Sequence, residues 1–184
     1  MNEKVLIKRK AEVELKIESL AYGGMGIAKK ENFVIFVKNA IPGQTVIARI
    51  YKKKKGYAEA RALKILVESP NVVKPKCNHF YICSKIQNLS YKEQLKEKSN
   101  QVIDAFQRLG GFKDFKLNNV VKGNPIFNYR NKMEFTFSPN RWVLDSEPEG
   151  ISKSFALGLH IPGRYDKILD INNCYIQPEI GNKI

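Results

Sequence analysis

Val13-Glu14-Leu15-Lys16-Ile17-Glu18-Ser19-Leu20 begins by alternating apolar and charged residues one for one. Successive side chains of a strand point to opposite faces. The stretch therefore puts Val13, Leu15 and Ile17 on a buried face and Glu14, Lys16 and Glu18 in water, and it predicts a half-buried strand. Ala21-Tyr22-Gly23-Gly24-Met25-Gly26 ends the alternation with glycines, the composition of a tight turn or bulge. On the N-terminal side, Val5 to Arg9 predicts another strand. On the C-terminal side, Phe33-Val34-Ile35-Phe36-Val37 is an unbroken apolar run and predicts a fully buried strand. Ala40-Ile41-Pro42-Gly43 reads as a turn, Thr45 to Tyr51 as a third strand, and Lys52-Lys53-Lys54-Lys55-Gly56 as a basic loop. Tyr57 to Val67 supplies one or two further strands. Short strands separated by glycine turns predict a small barrel, whose closure removes exposed edges.

Beyond residue 68 the pattern changes. Ser69-Pro70 and Lys74-Pro75 bracket an extended linker, because a residue before proline avoids the helical region. Cys77-Asn78-His79-Phe80-Tyr81-Ile82-Cys83 follows and holds two of the three cysteines. Ser90-Tyr91-Lys92-Glu93 has the spacing of a capping box. From Tyr91 to Leu109, the residues Tyr91, Leu95, Val102, Phe106 and Leu109 fall on one helical face, with Ile103 alongside, and Gly110-Gly111 stops the helix. Tyr129 to Ser138 alternates again, with Arg130, Lys132, Glu134 and Thr136 on one face. Arg141–Leu144, Phe155–His160 and Ile168–Ile171 predict three more strands, separated in part by the polar loop of residues 145–152. The predicted fold class is mainly β with one long helix (α+β). It comprises an OB-like five-stranded barrel over residues 1–68 and an antiparallel β domain over residues 69–184 that carries the helix of residues 91–109.

The chain of 184 residues has 32 Lys+Arg against 18 Asp+Glu, a formal net charge of +14. A balance this basic points to a polyanion partner, and nucleic acid fits it best. No basic amphipathic helix with a broad apolar face suggests a membrane surface. No run of eighteen apolar residues and no leader pattern appear, so the expected location is cytoplasmic. Lys52, Lys53, Lys54 and Lys55 are the first candidate phosphate contacts, with Arg130 and Lys132 on the alternating strand. Three cysteines in such a chain argue against a disulfide framework. Metal ligation, a cluster and buried packing stay open for them. His79 and His160 belong to no recognisable metal or triad motif. The Gly24-x-Gly26 pair is no dinucleotide fingerprint, because the third glycine position is Lys29 and a strand pattern follows.

Several segments carry a resemblance. Gly24-Met25-Gly26-Ile27-Ala28, Phe36-Val37, Ala40-Ile41-Pro42-Gly43 and the Lys52–Lys55 run resemble the TRAM domain. Cys77 to Cys83 with Gln87, Tyr91, Gln94, Leu95 and Lys98, then Tyr129 to Phe135, then Asp170 to Pro178, resemble the TRAM-containing RNA uracil-5-methyltransferases. The resemblance implies an S-adenosylmethionine-dependent methyltransferase acting on RNA, rRNA above all. It implies a 4Fe-4S cluster on Cys77, Cys83 and Cys174, but Ile86 stands where the family has a further cysteine. It places the nucleophile and methyl-donor site in a C-terminal Rossmann-like domain. No segment here shows that pattern, so the chain is expected to recognise RNA without catalysing transfer, with the methyltransferase domain as a separate partner. The alternative is a stand-alone RNA-binding or RNA-chaperone protein.

Overall fold

The computed structural model describes residues 7–30, 33–144 and 147–183. Val5 and Leu6 of the first predicted strand lie outside them, as do Asp145 and Ser146 of the polar loop. The chain divides into two compact units, Met1–Pro75 with Cys83–Lys122, and Lys76–Ile82 with Gly123–Ile184.

The first unit is a six-stranded sheet curled as a half-barrel. Its strands are β1 (Glu12–Lys16), β2 (Ser19–Leu20), β3 (Gly26–Lys30), β4 (Phe33–Lys38), β5 (Thr45–Lys53) and β6 (Tyr57–Val67). They lie in the order β1-β5-β6-β4-β3-β2, with β4 and β6 parallel and the other pairs antiparallel. β1 alternates exposed and buried residues as its sequence requires. Its buried Val13 and Leu15, with Ile17, join Ile35, Val37, Val46 and Ile50 in the core. Ala28, Ala48, Ala58 and Ala60 are fully buried there too. Small side chains at these positions let the concave face close, since a small barrel interior has room for only some large ones. Gly26 serves the same closeness: a Cβ there would lie 2.8 Å from Ile17 Cγ2 and 3.0 Å from the Ala40 carbonyl.

Phe33–Val37 is not buried on both faces as its composition suggested. Ile35 and Val37 are in the core, while Val34 and Phe36 are half-buried on the convex side. A polar clasp closes the far end. The buried Gln44 amide accepts from Ile41 N–H (2.9 Å) and donates to Glu68 (2.7 Å), and the Ser69 hydroxyl donates to the Pro42 carbonyl (2.7 Å).

Helix α1 (Phe80–Cys83) is one turn. Helix α2 runs Tyr91–Asp104 and continues as a π-helical turn over Ala105–Leu109, whose end is marked by Gly110 N–H donating to the Ala105 carbonyl. The capping box does not form. Ser90 makes no side-chain cap, and Glu93 pairs with Lys96 instead (2.7 Å). The helix docks by a polar face rather than by its apolar stripe. Glu97 is its buried residue, and its carboxylate accepts from Leu20 N–H at 2.7 Å. Gln101 donates to the carbonyls of Leu20 (3.2 Å) and Ala21 (3.3 Å). Val102, Phe106 and Leu109 stay exposed. The helix thus groups with the barrel rather than with the β domain in whose residue range the sequence placed it.

The second unit holds a four-stranded sheet in the order β7-β9-β10-β8, with β7 (Thr136–Ser138), β8 (Arg141–Trp142), β9 (Ala156–Ile161) and β10 (Arg164–Asp170). It is mixed rather than purely antiparallel, because β8 and β10 run parallel. β9 and β10 approach closely at Gly158, where a Cβ would overlap the Leu169 carbonyl oxygen. The alternating stretch from Tyr129 is a strand only from Thr136 onward. Before that, Asn128 and Arg130 N–H donate to the carbonyls of Tyr175 (3.0 Å) and Ile176 (2.8 Å) without forming a ladder.

Candidate nucleic-acid interface

Register sets what the convex face of the half-barrel carries. Ala58 and Ala60 point into the core, so Tyr57, Glu59 and Arg61 of β6 point out. By the same alternation Phe36 and Lys38 of β4 point out beside Ile35 and Val37. Phe36 pairs with Glu59 and Lys38 with Arg61 across the parallel ladder. On the other side, a register shift between Ile50 and Lys52 of β5 brings Lys52 opposite Glu59 while Ile50 stays in the core opposite Ala60.

Side-chain contacts tie these residues into one patch. The Phe36 and Tyr57 rings meet edge to face at 5.7 Å. Lys38 Nζ lies 5.0 Å from the Tyr51 ring centre and Lys52 Nζ 5.9 Å from that of Tyr57. Glu59 sits in the middle and accepts from both Lys52 Nζ and the Tyr51 hydroxyl, the latter at 3.0 Å. The hydrogen bond from Lys52 holds the Glu59 carboxyl below its ordinary value, and the same bond holds the Lys52 ammonium above its own. Burial first, then the bond to Glu59, pushes the Tyr51 phenol up to about 12, so it stays a neutral donor. The patch therefore offers aromatic rings and cations around one carboxylate.

The lysine run divides. Lys52 and Lys53 belong to β5, not to a loop. Lys52 is paired with Glu59, and Lys53 Nζ reaches to 6.0 Å from the Phe33 ring. Lys54 and Lys55 are exposed at the hairpin, which Lys54 N–H closes on the Tyr57 carbonyl (2.8 Å). Arg130 and Lys132 lie in the second unit and line an open hollow with Asn131, Met133, Glu134 and Leu159. There Arg130 Nε donates to the Lys132 carbonyl (3.1 Å), and Lys132 pairs with Glu134 at 3.0 Å with both side chains exposed. Sequence reasoning missed Phe36, Lys38, Tyr51, Tyr57, Glu59 and Arg61. The signal was the alternation of Tyr57, Glu59 and Arg61 with two alanines, which marks an outward row.

Cys77 and Cys174 are buried and Cys83 is exposed. Among the described residues, no group of three or more His, Cys, Asp or Glu side chains is arranged to hold a metal ion. Ile86, at the position of the family's further thiolate, packs against Leu20, Ile41 and Leu89. Three cysteines do not fit a four-thiolate cluster. Burial lowers the basicity of His79.

Comparison with known proteins places these features. Residues 8–63 match the TRAM domain family. An RNA methyltransferase of Bacteroides thetaiotaomicron is 39% identical over 90% of this chain and 37% of its own length. One from Clostridium tetani is 33% identical over the whole of this chain and 38% of its own length. Both carry the name uncharacterized RNA methyltransferase. The chain thus spans less than two fifths of the length of these relatives. The crystal structure of the Pyrococcus abyssi tRNA (uracil-54, C5)-methyltransferase, in complex with S-adenosyl-L-homocysteine, is similar in fold. Its TM-score is 0.53 at 23% identity, over 92% of this chain and 34% of that one.

Proposed function

Because the chain belongs to the TRAM-containing RNA methyltransferase family, we propose that these residues form the RNA-recognition part of an S-adenosylmethionine-dependent RNA (uracil-5-)-methyltransferase. The substrate is rRNA and the setting is the cytoplasm. The observation that carries the reading is the convex face of the half-barrel, where cations and aromatic rings stand together on β4, β5 and β6. Lys53, Lys54 and Lys55, with Arg130 and Lys132, contact phosphates and fix the RNA's register, as backbone contacts generally do, while Lys52 is held by Glu59.

Uracil is activated for methylation at carbon 5 by addition of a thiolate to carbon 6, followed by methyl transfer to carbon 5 and then removal of the carbon 5 proton, which expels the thiolate from carbon 6. This reading assigns those steps to a Rossmann-like domain outside the residues described here. The role of these residues is to hold and orient the strand. For the buried Cys77 and Cys174 thiols we favour packing over a cluster, since Cys83 is exposed and Ile86 is committed to the apolar contacts of Leu20, Ile41 and Leu89. Anaerobic purification is then expected to give colourless, iron-free protein, and a brown preparation with stoichiometric iron would overturn that.

Binding of a single-stranded oligoribonucleotide, measured against salt, tests the RNA reading. Each phosphate neutralised contributes about −0.7 to the log–log slope. Replacing Lys54 and Lys55 by alanine is expected to flatten the slope by about 1.4 without unfolding the barrel. A slope unchanged by that replacement would show the hairpin to be only solvated. Absence of salt-sensitive binding by the unaltered chain would sink the reading itself.

A further inference from the structure

The convex face holds more than charge. Phe36 and Tyr57 meet edge to face on strands paired in parallel, and both rings are half-buried rather than sealed. An edge-to-face pair on an outer sheet surface has an ordinary explanation as a cross-strand contact. Its surroundings go further. Lys52 Nζ stands 5.9 Å from the Tyr57 ring centre, Lys38 stands over Tyr51, and Arg61 is the ladder partner of Lys38. An apolar protein partner gains nothing from such a rim of cations. A second copy of this chain would set one basic face against another in a protein of net charge +14. The surface complements a flat, apolar group carried on an anionic chain, which is an unpaired nucleotide.

We propose that Phe36 and Tyr57 form a stacking platform for unpaired RNA bases, with Lys38 and Arg61 contacting the flanking phosphates. The inference rests on the proposed RNA recognition and adds strand state and mode of contact to it. Stacking needs a splayed base, so the platform accepts single strands and loops and refuses a continuous duplex. It is tolerant of sequence, because every base has a π-face. Glu59 has a defined place in the device. Its carboxylate holds Lys52 and Tyr51 down beside the rings and repels phosphate from the centre of the patch. The backbone is thereby directed to the rim, where Lys38 and Arg61 stand, and the base to the rings.

The test uses the 184-residue chain and a single-stranded oligoribonucleotide with 2-aminopurine at its centre. Binding is expected to quench the fluorophore, and annealing the complementary strand is expected to weaken binding at least tenfold. Phe36→Leu keeps the apolar bulk and removes the π-face. Tyr57→Ala removes the second ring. Each is expected to weaken single-strand binding roughly tenfold and to relieve the quench, while the salt slope stays as in the unaltered chain. Tyr57→Phe is expected to bind normally.

Three results would overturn the proposal: single-strand binding with no quench, equal affinity for single strand and duplex, or a concentration-dependent dimer that RNA competes away. These leave the broader RNA reading standing. Loss of all RNA binding by the unaltered chain would remove both. The fluorescence readout needs no variant, so a variant that fails to fold leaves the proposal testable.

Discussion

Replacing Glu97 by alanine tests how the helix is held to the half-barrel. Strand β2 is the edge of the six-stranded sheet, and Glu97 Oε2 accepts from its Leu20 N–H at 2.7 Å. Both residues are buried, at 4% exposure each. A hydrogen bond to a charged group contributes about 1.5–3 kcal/mol, and a buried donor left without an acceptor costs about 1–3 kcal/mol. Removing the carboxylate forfeits the first and incurs part of the second as water reaches the edge. The expected destabilisation of Glu97→Ala is therefore about 2–4 kcal/mol. Glu97→Gln keeps an oxygen in place as a neutral acceptor and is expected to cost about 1 kcal/mol. Urea unfolding followed by backbone amide exchange reads both quantities, and the Leu20 amide is expected to lose protection first in Glu97→Ala. If Glu97→Ala unfolds within about 0.5 kcal/mol of the parent, with Leu20 exchange unchanged, the polar docking described here is not what holds the helix.

Glu59→Gln removes the carboxylate that occupies Lys52 and is expected to steepen the salt slope of RNA binding by about 0.7, as one more cation becomes available. An unchanged slope would mean that Lys52 never reaches phosphate. The Lys52 bond keeps the Glu59 carboxyl below its usual 4.5, so the contribution of this pair is complete above that pH. It is expected to fade as acid takes the pH through the lowered value, and Glu59→Gln should remove that part of the acid dependence. Tyr51, raised from 10.0 to about 12, should stay protonated at pH 10–11. Its bonded phenol stabilises the fold below pH 10 and less as the pH rises toward 12. Ultraviolet titration of Tyr51→Phe should then lose only a late-titrating phenolate, and loss of one that titrates near 10 would contradict the burial of this hydroxyl. Gly26→Val forces a side chain to within about 2.8 Å of Ile17 and should destabilise the barrel by about 1–3 kcal/mol in a thermal melt. A neutral result would show that the β3–turn contact has slack.

The alternation of Val13, Leu15 and Ile17 was enough to read β1, because one of its faces is water and the other core. The same logic failed at Phe33–Val37, since an outward face that carries Val34 and Phe36 looks like core in composition. That face is where the candidate site lies, and an apolar outward residue is what a binding surface asks for. Helix α2 was legible in extent but not in orientation. Its apolar stripe predicted the buried side, whereas a carboxylate reaching a backbone amide 77 residues away has no local signal. The stretch from Tyr129 alternates as a strand should, yet residues 129–135 join no strand, and Arg130 N–H bonds the Ile176 carbonyl outside any ladder. In the lysine run, composition revealed the charge, but only the bulge in β5 reveals that Lys52 faces Glu59.

Recognition of RNA by the convex face is tested by a nitrogen-15 correlation experiment on the 184-residue chain, titrated with a short single-stranded RNA. The largest shift changes are expected at the amides of Phe36, Lys38, Tyr51, Tyr57 and Arg61, saturating with the binding isotherm. Saturable binding with those five amides unmoved would contradict it.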